Sequence, residues 1–162
     1  MAEPKVNFDS FKHNGIWEGH LRTLWLDEPA YTIIDSDNYE KISEIQFDCM
    51  RKISILCPET LVLLKSWLFD EYQNTIYGSV TAIRNGVQVD IHELTPKIES
   101  PEELWNLLGQ LTLNVPPENA ICADCFFAIS FFECPWDEEH GISILFNSDG
   151  VPTKIAGYGD HF

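Results

Sequence analysis

Residues 125–134 (CFFAISFFEC) constrain this chain more than any other stretch. An apolar run of that length, bounded by Asp124 and Pro135, reads as a central strand of a sheet. Its partners follow directly in sequence. Residues 135–141 form a charged connection, residues 142–147 (ISILFN) a second strand, and Ser148-Asp149-Gly150 a turn. Residues 153–157 (TKIAG) make a last strand, so this third of the chain reads as an antiparallel meander.

The remainder supplies helices and further strands. Trp17, Gly19, Leu21, Thr23 and Trp25 alternate with Glu18, His20, Arg22 and Leu24, the period of a half-buried strand. Asp27-Glu28-Pro29 turns the chain, and residues 30–34 return as the second arm of a hairpin. Asp35-Ser36-Asp37-Asn38 ends that strand and offers caps for a helix over residues 40–55, where Ile42, Ile45, Cys49, Ile53 and Leu56 share one face. Pro58 ends that helix and opens another over 59–73. Asn85-Gly86, between β-like runs at 79–84 and 87–93, signals a type I′ hairpin. Ser100-Pro101-Glu102-Glu103 opens a helix to residue 108, with Ser100 as cap and Glu103 completing a capping box, and residues 111–115 suit a strand. The expected fold is α+β: a mostly antiparallel sheet with two or three helices packed on one face. At 162 residues, one domain over 15–162 is expected, preceded by a flexible arm over 1–14 that Phe8 and Phe11 anchor.

Charge narrows the function classes. Twenty-six acidic residues against ten basic ones give a net charge of -16. Binding nucleic acid through phosphates needs a cationic footprint, and docking on an anionic membrane needs the same, so neither is expected. No apolar stretch approaches the ~18–20 residues of a membrane span, and residues 1–11 lack the apolar centre of a signal peptide. A cytoplasmic protein is expected. Its five cysteines, at 49, 57, 122, 125 and 134, are then reduced thiols acting as small buried hydrophobes. Cys122, Cys125, Cys134 and His140 are chemically sufficient for a structural zinc. The strand between Cys125 and Cys134 spans roughly 30 Å, too far for one ion without a sharp fold-back. No metal and no cofactor is therefore expected.

The run Trp136-Asp137-Glu138-Glu139-His140-Gly141 concentrates the remaining chemistry. Carboxylates beside a histidine suit general acid–base catalysis or a metal site. Adjacent residues seldom converge on one point, however, and no H-E-x-x-H, G-x-S-x-G or phosphate-cradling glycine pattern accompanies them. The alternative is a tight strand connection: Asp137 accepts backbone N–H bonds, Gly141 supplies an unusual φ, and Trp136 packs on the sheet.

These same residues carry a resemblance. The stretch from Phe132 through Trp136-Asp137-Glu138-Glu139-His140-Gly141 to Phe146, with the closing Gly157-Tyr158-Gly159-Asp160-His161-Phe162, resembles the ending of a bacterial family of small acidic proteins of unknown function. The Ile16-Trp17-Glu18-Gly19 strand, the helix pair between 40 and 73 and Pro101-Glu102-Glu103-Leu104-Trp105 are similar to the same family, from about residue 15 to the end. Cys122-Ala123-Asp124-Cys125 and Pro135 depart from its pattern. The resemblance carries over no catalytic residues. Such proteins are associated with toxin–immunity loci, which implies a non-catalytic binding protein that neutralises a basic toxin domain. The rival expectation is a small hydrolase or metal-dependent enzyme centred on Asp137, Glu138, Glu139 and His140.

Overall fold

The computed structural model describes residues 10–36 and 41–157. Among these residues the class is α+β: four α-helices, a seven-stranded sheet and a separate two-stranded hairpin. The strands are β1 (Lys12–His13), β2 (Trp17–Leu21), β3 (Ala30–Ile34), β4 (Ile83–Arg84), β5 (Val87–Gln88), β6 (Leu111–Val115), β7 (Phe127–Phe131), β8 (Ile142–Phe146) and β9 (Pro152–Gly157). The helices are α1 (Glu44–Ser54), α2 (Glu59–Glu71), α3 (Ile91–Leu94) and α4 (Pro101–Leu107). Sheet order is β1-β2-β3-β6-β7-β8-β9, with β4-β5 apart.

One pairing corrects the expected sheet. β3 and β6 run parallel, with Tyr31 opposite Thr112 and Ile33 opposite Asn114, so the sheet is mixed. Parallel neighbours need a long crossover, and all four helices and the β4–β5 hairpin lie in this one. Gln46 marks where the two parallel strands end together. Its side chain closes a capping box with Ser43 at the start of α1 and donates to the carbonyls of Asp35 and Pro116.

The core lies between the helices and one face of the sheet. Trp105 of α4 meets Phe131 edge-on at 5.3 Å, and Trp25 lies 6.4 Å from Phe127 while its indole N–H donates to the Ile53 carbonyl of α1. Pairing registers extend that face into a cross-strand row of Gly19, Thr32, Leu113, Ile129, Ile144 and Ile155. Successive residues of a strand point to opposite faces. The adjacent row, on the other face, is His20, Tyr31, Thr112, Ser130, Ser143 and Ala156.

Several local expectations differ in extent. The strand expected over 125–134 pairs only over Phe127–Phe131, and the run expected as β over 87–93 ends in the short helix α3. α1 is capped by Ser43 instead of by the 35–38 segment, of which 37 and 38 lie outside the described residues. Of the arm expected over 1–14, Phe8 lies outside the described residues, whereas Phe11 is buried and Lys12–His13 pair with β2. The closing motif beyond Gly157 also lies outside them. Among the described residues no helix is long and apolar enough to cross a membrane.

Candidate functional site

The connection between β7 and β8 is the segment that sequence reasoning singled out, and its geometry is that of a tight, self-bonded turn. The Asp137 N–H donates to the Cys134 carbonyl at 3.1 Å, and the Gly141 N–H returns to the Asp137 carbonyl at 2.8 Å. Asp137 Oδ1 accepts from the His140 backbone N–H at 3.1 Å and lies 3.2 Å from His140 Nδ1. Gly141 holds φ at 65°, and a Cβ there would meet the Phe131 carbonyl at 2.2 Å, so only glycine fits.

The hydrophobic half of the motif points inward. Trp136 is buried, its ring 5.1 Å from that of Tyr72. Tyr72 opens a π-helical extension of α2 (Tyr72–Ile76), donates its hydroxyl to the Pro96 carbonyl at 2.6 Å, and has its phenol pushed up to about 12 by burial. Beneath the turn, burial pushes the Cys134 thiol up to about 12, outweighing the backbone N–H groups of Trp136 and Asp137 that favour the thiolate.

The polar half faces outward. Glu138 pairs with Arg84 of β4, which ties the turn to the β4–β5 hairpin. Asn85 and Gly86 at the hairpin tip hold φ at 51° and 77°, as their dipeptide predicted. Between turn and hairpin lies a cleft of about 310 Å3, lined by residues 80–84, Leu94 and residues 135–139. Asp137, Glu138 and Glu139 thus share the cleft with one arginine. His140 is outside that lining and exposed. The arrangement holds one carboxylate–imidazole pair beside an acidic cleft, which suits orienting an imidazole or receiving a cationic group.

The proposed zinc ligands are spread out. Cys122 and Cys125 precede β7 while Cys134 and His140 follow it, and no three metal-ligating side chains come together among the described residues. Nor are all five thiols buried: Cys49 and Cys134 are, whereas Cys57 and Cys122 are exposed and Cys125 is half-buried. The apolar residues around these positions carried the sequence expectation, but the two exposed thiols sit where the chain turns at the surface.

Sequence reasoning missed a second polar constellation. On the face of the sheet away from Phe131, Asn114 Nδ2 donates to Ser130 Oγ at 2.8 Å, and Ser130 Oγ lies 2.6 Å from Ser143 Oγ. All three side chains are buried. At the β2–β3 end of the same face, Tyr31 donates its hydroxyl to Glu18, and the His20 ring meets Tyr31 edge-on at 5.7 Å. The available signal was Asn114 and Ser130 recurring on one parity within apolar strands.

Residues 7–162 match the family described as a domain of unknown function, DUF6985, and the chain belongs to that family. No curated protein and no solved structure matches the chain.

Proposed function

We propose that this DUF6985 member is a non-catalytic bacterial binding protein of the immunity type, acting in the cytoplasm, which neutralises a basic toxin domain by covering its active surface. The observation that carries this reading is the net charge of -16 on 162 residues. A field of that strength accelerates encounter with a cationic partner and disfavours acidic ones. Where the toxin is a nuclease, acidic side chains stand where the phosphate backbone of its substrate would lie.

Two surfaces support the reading. One is the acidic cleft of Asp137, Glu138 and Glu139. The other is the outer stripe of α2, where Glu59, Val62, Leu63, Ser66 and Asp70 are all exposed at helical spacing. Its apolar centre between acidic ends has the composition of an anchor within a polar rim. A complex of this kind buries about 1,200–2,000 Å2.

The test is co-expression with the product of the adjacent gene, followed by affinity capture at several salt concentrations. A tight complex that weakens as salt rises is the expected outcome. A stable, purified protein that captures no neighbouring gene product at any salt concentration overturns it.

The 3.2 Å Asp137–His140 contact favours a second reading, a small hydrolase or metal-dependent enzyme. It predicts stoichiometric metal in the purified protein, or a hydrolytic activity that His140→Ala abolishes. Finding neither removes it.

A further inference from the structure

The segment Cys122-Ala123-Asp124-Cys125 takes part neither in the acidic cleft nor in the α2 stripe. Its geometry is specific. The Cys122 N–H donates to the Cys125 carbonyl at 3.0 Å across two intervening residues, which folds the two cysteines opposite one another. With N–Cα about 1.46 Å and a carbonyl oxygen about 2.4 Å from its own Cα, one such bond limits the two Cα atoms to within about 7 Å of each other. A disulfide requires roughly 4.4–6.8 Å.

The turn is also pinned to its surroundings. The Ala123 carbonyl accepts from the Ser148 N–H at 3.3 Å, the Asp124 carbonyl from the Thr153 hydroxyl at 3.4 Å, and the Phe126 N–H donates to the Phe146 carbonyl at 2.7 Å. β8, β9 and their connection therefore hold the backbone of this segment in place. The exposures of the two thiols differ in a useful way, with Cys122 exposed and Cys125 half-buried. Of the other cysteines, Cys49 is the rival, close enough for Cys125 to act on its thiol, but burial disfavours its thiolate. Cys49 is fully buried with its thiol against the Phe126 carbonyl at 3.1 Å, Cys57 follows α1, and Cys134 lies past the far end of β7.

We propose that Cys122 and Cys125 form a reversible disulfide, closed by exchange with a low-molecular-weight disulfide such as glutathione disulfide. Cys122, the accessible thiol, loses its proton and attacks one sulfur of the small disulfide. That S–S bond breaks, a mixed disulfide forms on Cys122, and one small thiolate leaves and takes up a proton. Cys125 then loses its proton and attacks the Cys122 sulfur. The protein disulfide forms and the second small thiol departs. Two protein thiols are oxidised and one small disulfide is reduced to two thiols, so the exchange balances. Burial and the neighbouring Cys122 raise the Cys125 thiol above its ordinary value, so less of it is thiolate at neutral pH and the second step is the slower one; holding the two cysteines together offsets that.

The experiment uses the native full chain and no binding partner, so it is independent of the immunity reading. The protein is equilibrated in glutathione buffers of increasing oxidised fraction, its remaining thiols are alkylated, and intact and peptide masses are measured. The expected result is loss of two of the five thiols, a mass lower by two hydrogens, a bond mapped to Cys122–Cys125, and full reversal by dithiothreitol. In Cys125→Ser the exchange stops at the first step, leaving one glutathione on Cys122. Cys122 and Cys125 both remaining alkylatable at every ratio overturns the proposal. So does a bond mapped from Cys125 to Cys49, or a covalent dimer through Cys122.

Discussion

The two faces of the sheet are both buried at its centre, yet they are filled in opposite ways. Toward the helices, Phe127, Ile129, Phe131, Ile142, Ile144 and Phe146 pack against α1, α4 and Trp25. On the other face β6, β7 and β8 carry Thr112, Asn114, Ser130 and Ser143, of which the Asn114, Ser130 and Ser143 side chains are bonded to one another. Apolar burial is strong and non-directional. A buried hydrogen-bonded row is weaker but has direction. A one-residue slip of β7 would turn Ser130 into the apolar layer and Ile129 into the polar one. The helix-covered face therefore supplies most of the stability, while the polar face supplies register.

Four measurements break or sharpen that contrast. Phe131→Ala removes the ring beneath Trp105 and is expected to cost about 3–5 kcal/mol in urea unfolding. A cost below that of a serine on the opposite face would invert the assignment of roles.

Alkaline titration probes the thiols buried in the core. Cys49 and Cys134 are both raised from 9 to about 12 by burial. A raised folded-state value means the unfolded chain releases those protons first. The stabilising contribution is thus complete below about pH 9 and declines as pH climbs toward 12, by at most about 1.4 kcal/mol per unit per thiol. Unfolding free energy measured between pH 8 and pH 11 should fall, and Cys49→Ala should make the slope shallower. An unchanged slope would show that Cys49 ionises alike in both states.

On the polar face, Ser130→Ala leaves both Asn114 Nδ2 and Ser143 Oγ without their shared partner, an expected loss of about 1–3 kcal/mol. Ser143→Ala should cost less, because Ser130 keeps Asn114. A double-mutant cycle on Ser130 and Ser143 that returns no coupling energy would dismantle the row as a unit.

The smallest effect is expected in the 136–141 turn. Asp137→Ala removes the acceptor of the His140 backbone N–H and should lower stability by about 1 kcal/mol. Glu138→Ala breaks only an exposed ion pair with Arg84 and should shift thermal unfolding little, by about 0.5 kcal/mol or less. If Glu138→Ala proved costlier than Asp137→Ala, the hairpin contact would outrank the turn's own bonds.

Much of this architecture was legible from local signals. Residues 30–34 pair over their whole expected length. Ser100 caps α4 by accepting the Glu103 N–H at 3.2 Å, although the Glu103 side chain reaches the Glu99 N–H instead of closing the box on Ser100. Asn85-Gly86 makes its hairpin, and Asp137 and Gly141 make the turn that their spacing indicated. Less legible was the candidate site as an enclosed place. Its cleft exists because Arg84 and Ile83, more than fifty residues upstream, are brought against Glu138.

What the sequence by itself determined is the set of turns, caps and alternating strands, together with a net charge of -16. Each depends on a few neighbouring residues whose preferences act before any tertiary contact exists. Only the tertiary structure decided that β3 lies parallel to β6, that Gln46 joins their ends, and that Asn114, Ser130 and Ser143 form one row. Those outcomes join residues separated by 11 to 81 positions. No local preference encodes such partners. They are selected by which packing buries the apolar face of the sheet while leaving the buried Asn114, Ser130 and Ser143 side chains bonded.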